Sequence, residues 1–137
     1  MIITKKYVND LSYKIVGAAI EVHNSLGPGL LESVYEKCLA QELLLQGLKV
    51  EKQAIIPIEY KGITFEAELR ADLIVNNLIV VELKAVDSIL PIHKAQLITY
   101  LKLLKLPKGL LINFNSISIT ESLVPLVTEE FSKLKDI

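Results

Sequence analysis

Between Ala71 and Lys84 the chain sets one Asp, one Glu and one Lys into two short runs rich in Leu, Ile and Val, joined by Asn76-Asn77. Runs of this length and β-branched content favour strands, and the Asn pair is a turn signal, so the segment should fold back as an antiparallel pair. The second run, Leu78 to Ala85, is apolar on both alternating faces, as expected of a central strand covered on both sides. Asp72, Glu82 and Lys84 are then obliged to lie within or at the margin of a packed sheet. A charge there without a partner is costly, so the three groups need one another, a metal ion or a polar cleft.

The rest of the chain supplies the layers for such a sheet. A first helix is expected from a cap at Asn9 or Asp10, with Leu11, Ile15, Ala18, Ala19 and Val22 on one face, ending near Gly27-Pro28-Gly29. A second helix runs from Leu30 to Gln46, with Gly47 as its left-handed stop, and the two form a hairpin. Strands follow at Ala54 to Tyr60, at Ile63 to Val75 after a Lys61-Gly62 turn, and at Leu78 to Ala85. Pro57 cannot donate to a ladder, which places the first of these at an edge or beside a bulge.

Pro91 opens a third helix, His93 to about Leu106, and Gly109 to Phe114 returns as a strand parallel to the central one through a right-handed crossover. A short extended piece at Ile117 to Ile119 and a helix from about Pro125 complete the chain. The expected whole is an α/β sandwich: a mixed sheet containing an antiparallel meander, flanked by helices. At 137 residues, positions 1–137 suffice for one domain with a substantial core.

Composition narrows the function classes. Fifteen Lys and Arg stand against sixteen Asp and Glu, so any nucleic-acid contact must come from a local patch rather than from bulk charge. The single Cys38 excludes an internal disulfide and a cysteine-based zinc cluster, and the two His lack zinc-site spacing. A reducing, cytoplasmic setting is expected. No apolar run is long enough for a signal peptide core or a membrane span, so a soluble protein is expected. With 51% hydrophobic residues, an apolar surface covered in a homo-oligomer is a further expectation. No Gly-rich phosphate loop or dinucleotide fingerprint is present.

Glu82 and Lys84 share a side of their strand, two residues apart. Whether Asp72 joins them depends on the turn. A plain two-residue hairpin at Asn76-Asn77 would set Asp72 opposite Val81, facing away from Glu82. A three-residue loop of Asn76, Asn77 and Leu78, or a bulge, would set it across from Glu82. If the groups converge, the two carboxylates offer hard oxygen ligands for Mg²⁺ or Mn²⁺, with Lys84 beside the reacting phosphate. Spacing alone favours a salt bridge of Lys84 to Glu82 or Asp72, solvated at the sheet margin.

Asp72 followed by Glu82-Leu83-Lys84 on the next strand resembles the signature of the PD-(D/E)XK nuclease superfamily, whose fold is restriction-endonuclease-like. Gly29-Leu30-Leu31-Glu32-Ser33-Val34-Tyr35 is similar to the motif that names the GxxExxY family, which is grouped with those nucleases. Glu21-Val22-His23, Leu26-Gly27-Pro28-Gly29, Arg70-Ala71-Asp72, Gln96-Leu97-Ile98-Thr99-Tyr100 and Leu111-Ile112-Asn113-Phe114 resemble that family in order and spacing. The resemblance implies a Mg²⁺- or Mn²⁺-dependent nuclease acting on DNA in preference to RNA. It implies that Asp72, Glu82 and Lys84 carry metal binding and catalysis, with Glu32 as an additional helix carboxylate. The alternatives are a nuclease-like fold that only binds nucleic acid or a protein partner, and a small metalloenzyme acting on a nucleotide or phosphorylated metabolite.

Other residues have bland and functional roles side by side. Glu32 in the first turn of its helix suits the helix dipole, and Glu36 one turn on is expected to face solvent, although it could substitute for Glu32 at the site. His93, Gln96 and Tyr100 share one stripe of the third helix, and in related nucleases such a Gln and Tyr approach the active site. Lys94, Lys102 and Lys105, joined by Lys108, form the best candidate for phosphate contacts, or a solvated face. His23 suits the negative end of its helix, and Cys38 sits among Val34, Leu31 and Leu39 as a core residue.

Overall fold

The computed structural model describes residues 2–137. Its five strands, β1 (Val50–Tyr60), β2 (Ile63–Val75), β3 (Ile79–Lys84), β4 (Lys108–Asn113) and β5 (Val124–Val127), form one sheet in the order β1-β2-β3-β4-β5. Only β3 and β4 pair in parallel, and β3 is central, as its two apolar faces require. Helices α1 (Lys5–Leu26) and α2 (Glu32–Leu45) cover one face, and α3 (Pro91–Leu104) covers the other. This is the mixed sheet flanked by helices of a restriction-endonuclease-like α/β fold.

Alternation along the strands distributes the core between the two layers. Val81, Leu83, Leu110, Ile112 and Phe114 pack with the α1–α2 hairpin, whereas Val80 and Leu111 pack with Leu97, Tyr100 and Leu101 of α3. Glu82 follows Val80 by two residues and therefore projects to the α3 side. Gly109 explains how closely β4 approaches α3: a Cβ there would lie 2.9 Å from methyl carbons of both Leu97 and Leu101.

The β2–β3 connection meets the demand set by the sequence. Val75 pairs with Ile79, leaving a three-residue loop of Asn76, Asn77 and Leu78. Both Asn residues take positive φ, a conformation Asn tolerates better than most residues, and Asn76 also accepts the Lys49 amide through Oδ1. That loop sets Asp72 across from Glu82.

Pro57 occupies both of its expected settings. β1 is an edge strand, and its register with β2 shifts between Ile55 and Pro57, with Glu68 of β2 at positive φ beside the shift. The distal β1–β2 arm carries Ile58 opposite Phe65 and Tyr60 opposite Ile63, so these four apolar residues share one face of it.

Several boundaries differ from expectation. α1 begins at Lys5 because Thr4 Oγ1 accepts the Tyr7 amide at 3.0 Å, a cap upstream of Asn9 and Asp10. β1 begins at Val50, which brings Gln53 into the sheet. Residues expected to be extended near Ile117 lead instead into one helical turn, α4 (Ile119–Ser122). The helix expected from Pro125 is the edge strand β5, where Pro125 pairs with Leu110 and no outer ladder needs its missing donor; only a short turn, α5 (Glu129–Ser132), follows. Among the described residues, no helix is long and apolar enough to cross a membrane.

Candidate active site

The β2–β3 ladder runs from Val75↔Ile79 to Leu73↔Val81, and beyond it carboxylates replace backbone partners. The Leu83 amide donates to Asp72 Oδ2 at 2.9 Å, and the Asp72 amide donates to Glu82 Oε2 at 3.3 Å. Each acid is thus held by the backbone of the other's strand, and the two carboxyl groups meet within hydrogen-bonding reach. Glu82 is only 6% exposed. Burial, then a hydrogen bond with Asp72 and the charge of Asp72, push the Glu82 carboxyl up to about 9.

Lys84 lies on the same side of β3 as Glu82, half-buried at the strand end. Among the described residues, no ion pair joins it to either acid; the ion pairs there involve Lys5, Lys6 and Lys133. The salt-bridge reading of the charged stretch is therefore not what the structure contains. The backbone beyond Lys84 is clamped by Asn113, which is almost fully buried. Its side chain donates to the Val86 carbonyl and accepts the Val86 amide, fixing the exit of β3.

The helix carboxylate joined to the pair is Glu36. Gln53 Nε2 donates to Glu36 Oε1 at 2.7 Å and to Asp72 Oδ1 at 3.3 Å. Burial and then the Asp72 charge raise the Glu36 carboxyl above its ordinary range. Glu32 stands one turn earlier, exposed at the first position of α2, and its charge is only the smallest of the influences on Glu36. The structure does not bring Glu32 to the acid pair.

The motif that contains Glu32 has a local role in joining the two helices. Tyr35 Oη accepts the Leu30 amide at 3.1 Å and donates to the Gly27 carbonyl at 2.6 Å, stapling the turn between α1 and α2. Its ring stacks on Phe114 at a centroid distance of 4.6 Å. Tyr35→Phe keeps the stack but removes the hydroxyl from the Leu30 amide and the partly exposed Gly27 carbonyl, so it should cost about 1 kcal/mol. Urea unfolding would show a lower midpoint at an unchanged slope.

From the opposite layer, Tyr100 reaches the same place. Burial and then the charges of Glu82 and Asp72 raise its hydroxyl above the ordinary tyrosine range. Gln96, one turn earlier, is exposed. The lysines divide along α3. Lys94 lines a cleft of about 670 Å³ with Asn113, Asn115 and Ser116, at the end of the sheet where Lys84 pairs with Asn113. Lys102 and Lys105 line a separate cleft with Glu129 and Glu130. Lys94 and Lys105 are about 16 Å apart along the helix at 1.5 Å per residue. His23 is a structural residue, its Nε2 donating to the Ser116 carbonyl at 2.8 Å, and Cys38 packs against the α1–α2 core.

Two carboxylates forced together, one of them buried, form a donor set that a hard divalent cation would relieve of its repulsion. Among the described residues, no group of three His, Cys, Asp or Glu side chains is gathered for a metal ion. The remaining positions of an ion held by Asp72 and Glu82 would fall to water and phosphate oxygens, the usual habit of Mg²⁺.

Gln53 is the site residue that motif reading misses, whereas Asn113 lay inside a matching motif without a role attached to it. The signal for Gln53 was its register: it stands opposite Asp72 between the pairs Lys52↔Leu73 and Ala54↔Ala71. No curated protein and no solved structure gives a significant match to the chain. A family model described as the PD-(D/E)XK nuclease superfamily matches residues 9–124, spanning both helical layers and the sheet through the first residue of β5, and the chain belongs to that superfamily.

Proposed function

We propose that the protein is a metal-dependent phosphodiesterase that acts on nucleic acid, with DNA the preferred substrate and Mg²⁺ or Mn²⁺ the ion. The observation that carries this reading is the Asp72–Glu82 pair, held by reciprocal bonds to backbone amides, with Lys84 beside it and in no ion pair among the described residues. Nucleases of this superfamily generally use divalent metal ions.

In this reading Asp72 and Glu82 would hold the cation, which would lower the pKa of bound water and offset charge developing on the phosphate. Glu36 is placed to act through a water molecule, with Glu32 one turn farther out. Lys84 presents its ammonium to the scissile phosphate oxygens or to the attacking water. Tyr100 closes the wall on the α3 side, and Lys94 and Gln96 meet the nucleic-acid backbone nearby. Lys102 and Lys105, beside Glu129 and Glu130, make weaker and more peripheral phosphate contacts.

The test is cleavage of supercoiled plasmid and single-stranded DNA in Mg²⁺ or Mn²⁺, with an EDTA control. Wild type should cleave only with the ion, and Asp72→Ala should cleave about 10³-fold more slowly. Equal cleavage by wild type, Asp72→Ala and Lys84→Ala would remove the assignment. Calorimetry separates this from an inert nucleic-acid-binding fold, which would take up no Mn²⁺ in a manner dependent on Asp72 and Glu82.

A further inference from the structure

Gln53 is in a conformation that an L side chain rarely adopts, with φ +49. Other positive-φ residues that are not glycine have local reasons: Lys61 in the β1–β2 turn, Glu68 beside the register shift, Asn76 and Asn77 in the β2–β3 loop, and Lys105 at the α3 cap. Gln53 has none of these. It lies inside β1, where the ladder is in one register on either side of it, Lys52↔Leu73 and Ala54↔Ala71. Backbone strain of this kind persists only when the surroundings impose it, and it gathers at functional sites.

What the strain accompanies is a specific contact. The Gln53 amide nitrogen has two hydrogens, and its two acceptors are Glu36 Oε1 at 2.7 Å and Asp72 Oδ1 at 3.3 Å. These acids come from different layers, one from α2 and one from β2. A lysine in the same place would neutralise them, whereas a neutral amide brings them together and leaves their negative charge for a cation.

We propose that Gln53 is a positioning residue: by holding Glu36 Oε1 and Asp72 Oδ1 its amide fixes the Glu36 carboxylate beside the acid pair, so that Glu36 serves the bound ion through water. This rests on the reading of Asp72 and Glu82 as cation ligands. Partners that orient ligating groups typically contribute 10–100-fold to metal affinity. Gln53→Asn tolerates positive φ but is too short to reach both acids, and Gln53→Gly relieves the strain and removes the amide.

The experiment is Mn²⁺ calorimetry and thermal melting of the full chain for wild type, Gln53→Asn, Gln53→Gly, Glu36→Gln, and Gln53→Gly combined with Glu36→Gln. Both Gln53 variants should bind Mn²⁺ about 10-fold more weakly. Their metal-free Tm should stay within about 2 °C of wild type, a shift of well under one kcal/mol. The double variant should bind no worse than the weaker single one, because the two residues act as a unit. Unchanged Mn²⁺ affinity in the Gln53 variants, or losses that simply add in the double variant, would overturn the proposal while leaving the acid pair standing. Failure of wild type to bind Mn²⁺ at all would overturn the acid-pair reading, and this proposal with it.

Discussion

Glu82→Gln should raise the melting temperature of the metal-free protein at pH 8 by about 10 °C and abolish its Mn²⁺ binding. The two effects have one cause. In the folded protein the Glu82 carboxyl is pushed up to about 9, against 4.5 for the unperturbed group. The folded state therefore retains a proton that the unfolded state has released, and stability falls as pH rises between those values. The limiting slope is about 1.4 kcal/mol per pH unit. Below the unperturbed value both states are protonated and the loss vanishes; above the raised value it is complete.

Glutamine keeps the shape and never ionises, so the variant should not show this decline. Allowing for relaxation around the site, the difference at pH 8 is about 3 kcal/mol, which is about 10 °C for a chain of this size. At pH 5 the two proteins should melt close together. Saturating Mn²⁺ at about 100 Kd should stabilise wild type by about 2.7 kcal/mol and leave the variant unmoved. A variant that melts at or below wild type at pH 8 would sink the account of Glu82.

A carboxylate that destabilises the metal-free fold is what a functional acid looks like in a sheet otherwise filled with Val, Leu and Ile. Its location was legible in the sequence because strand periodicity is simple. The apolar runs on either side of Asn76-Asn77 defined two strands, and the face of Glu82 depended only on counting by twos. An odd loop or a bulge was needed for Asp72 to meet it, and the structure has a three-residue loop there. The matched motifs from Gly29 to Phe114 gave the order of the layers.

The parts that were not legible depend on tertiary partners. Pro125 reads as a helix opener, yet the exposed edge of β4 offers a ladder that needs no donor from that residue, and the segment pairs there as β5. Glu32 carries the motif position, but the first residue of α2 points its side chain to solvent, while one helical turn onward Glu36 is joined to Asp72 through Gln53. No local pattern could identify Gln53, because its meaning lies in a strained backbone angle and in the strand opposite. The lysine stripe was visible on α3, but its division between two clefts follows from where β5 and α5 pack.

Lys84→Ala and Asp72→Ala should both lower cleavage by about 10³-fold, comparable to removing one preorganised group that stabilises transition-state charge. The two losses should separate by metal binding. Asp72 offers oxygen to the cation and supports Glu82 through its own amide, so Asp72→Ala should lose Mn²⁺ affinity together with activity. Lys84 forms no ion pair with either acid among the described residues, and its charge is the weakest influence on Glu82. Removing that charge takes a cation away from the neighbourhood of the metal, so Mn²⁺ should bind Lys84→Ala at least as tightly as wild type. Lys84→Arg retains the charge but replaces a compact ammonium with a planar fork, and should recover only part of the rate. Calorimetry and single-turnover cleavage on the same preparations, with matched melting curves, decide the matter. Loss of Mn²⁺ binding in Lys84→Ala would make the lysine a support of the metal site, and an unchanged rate would remove it from the chemistry.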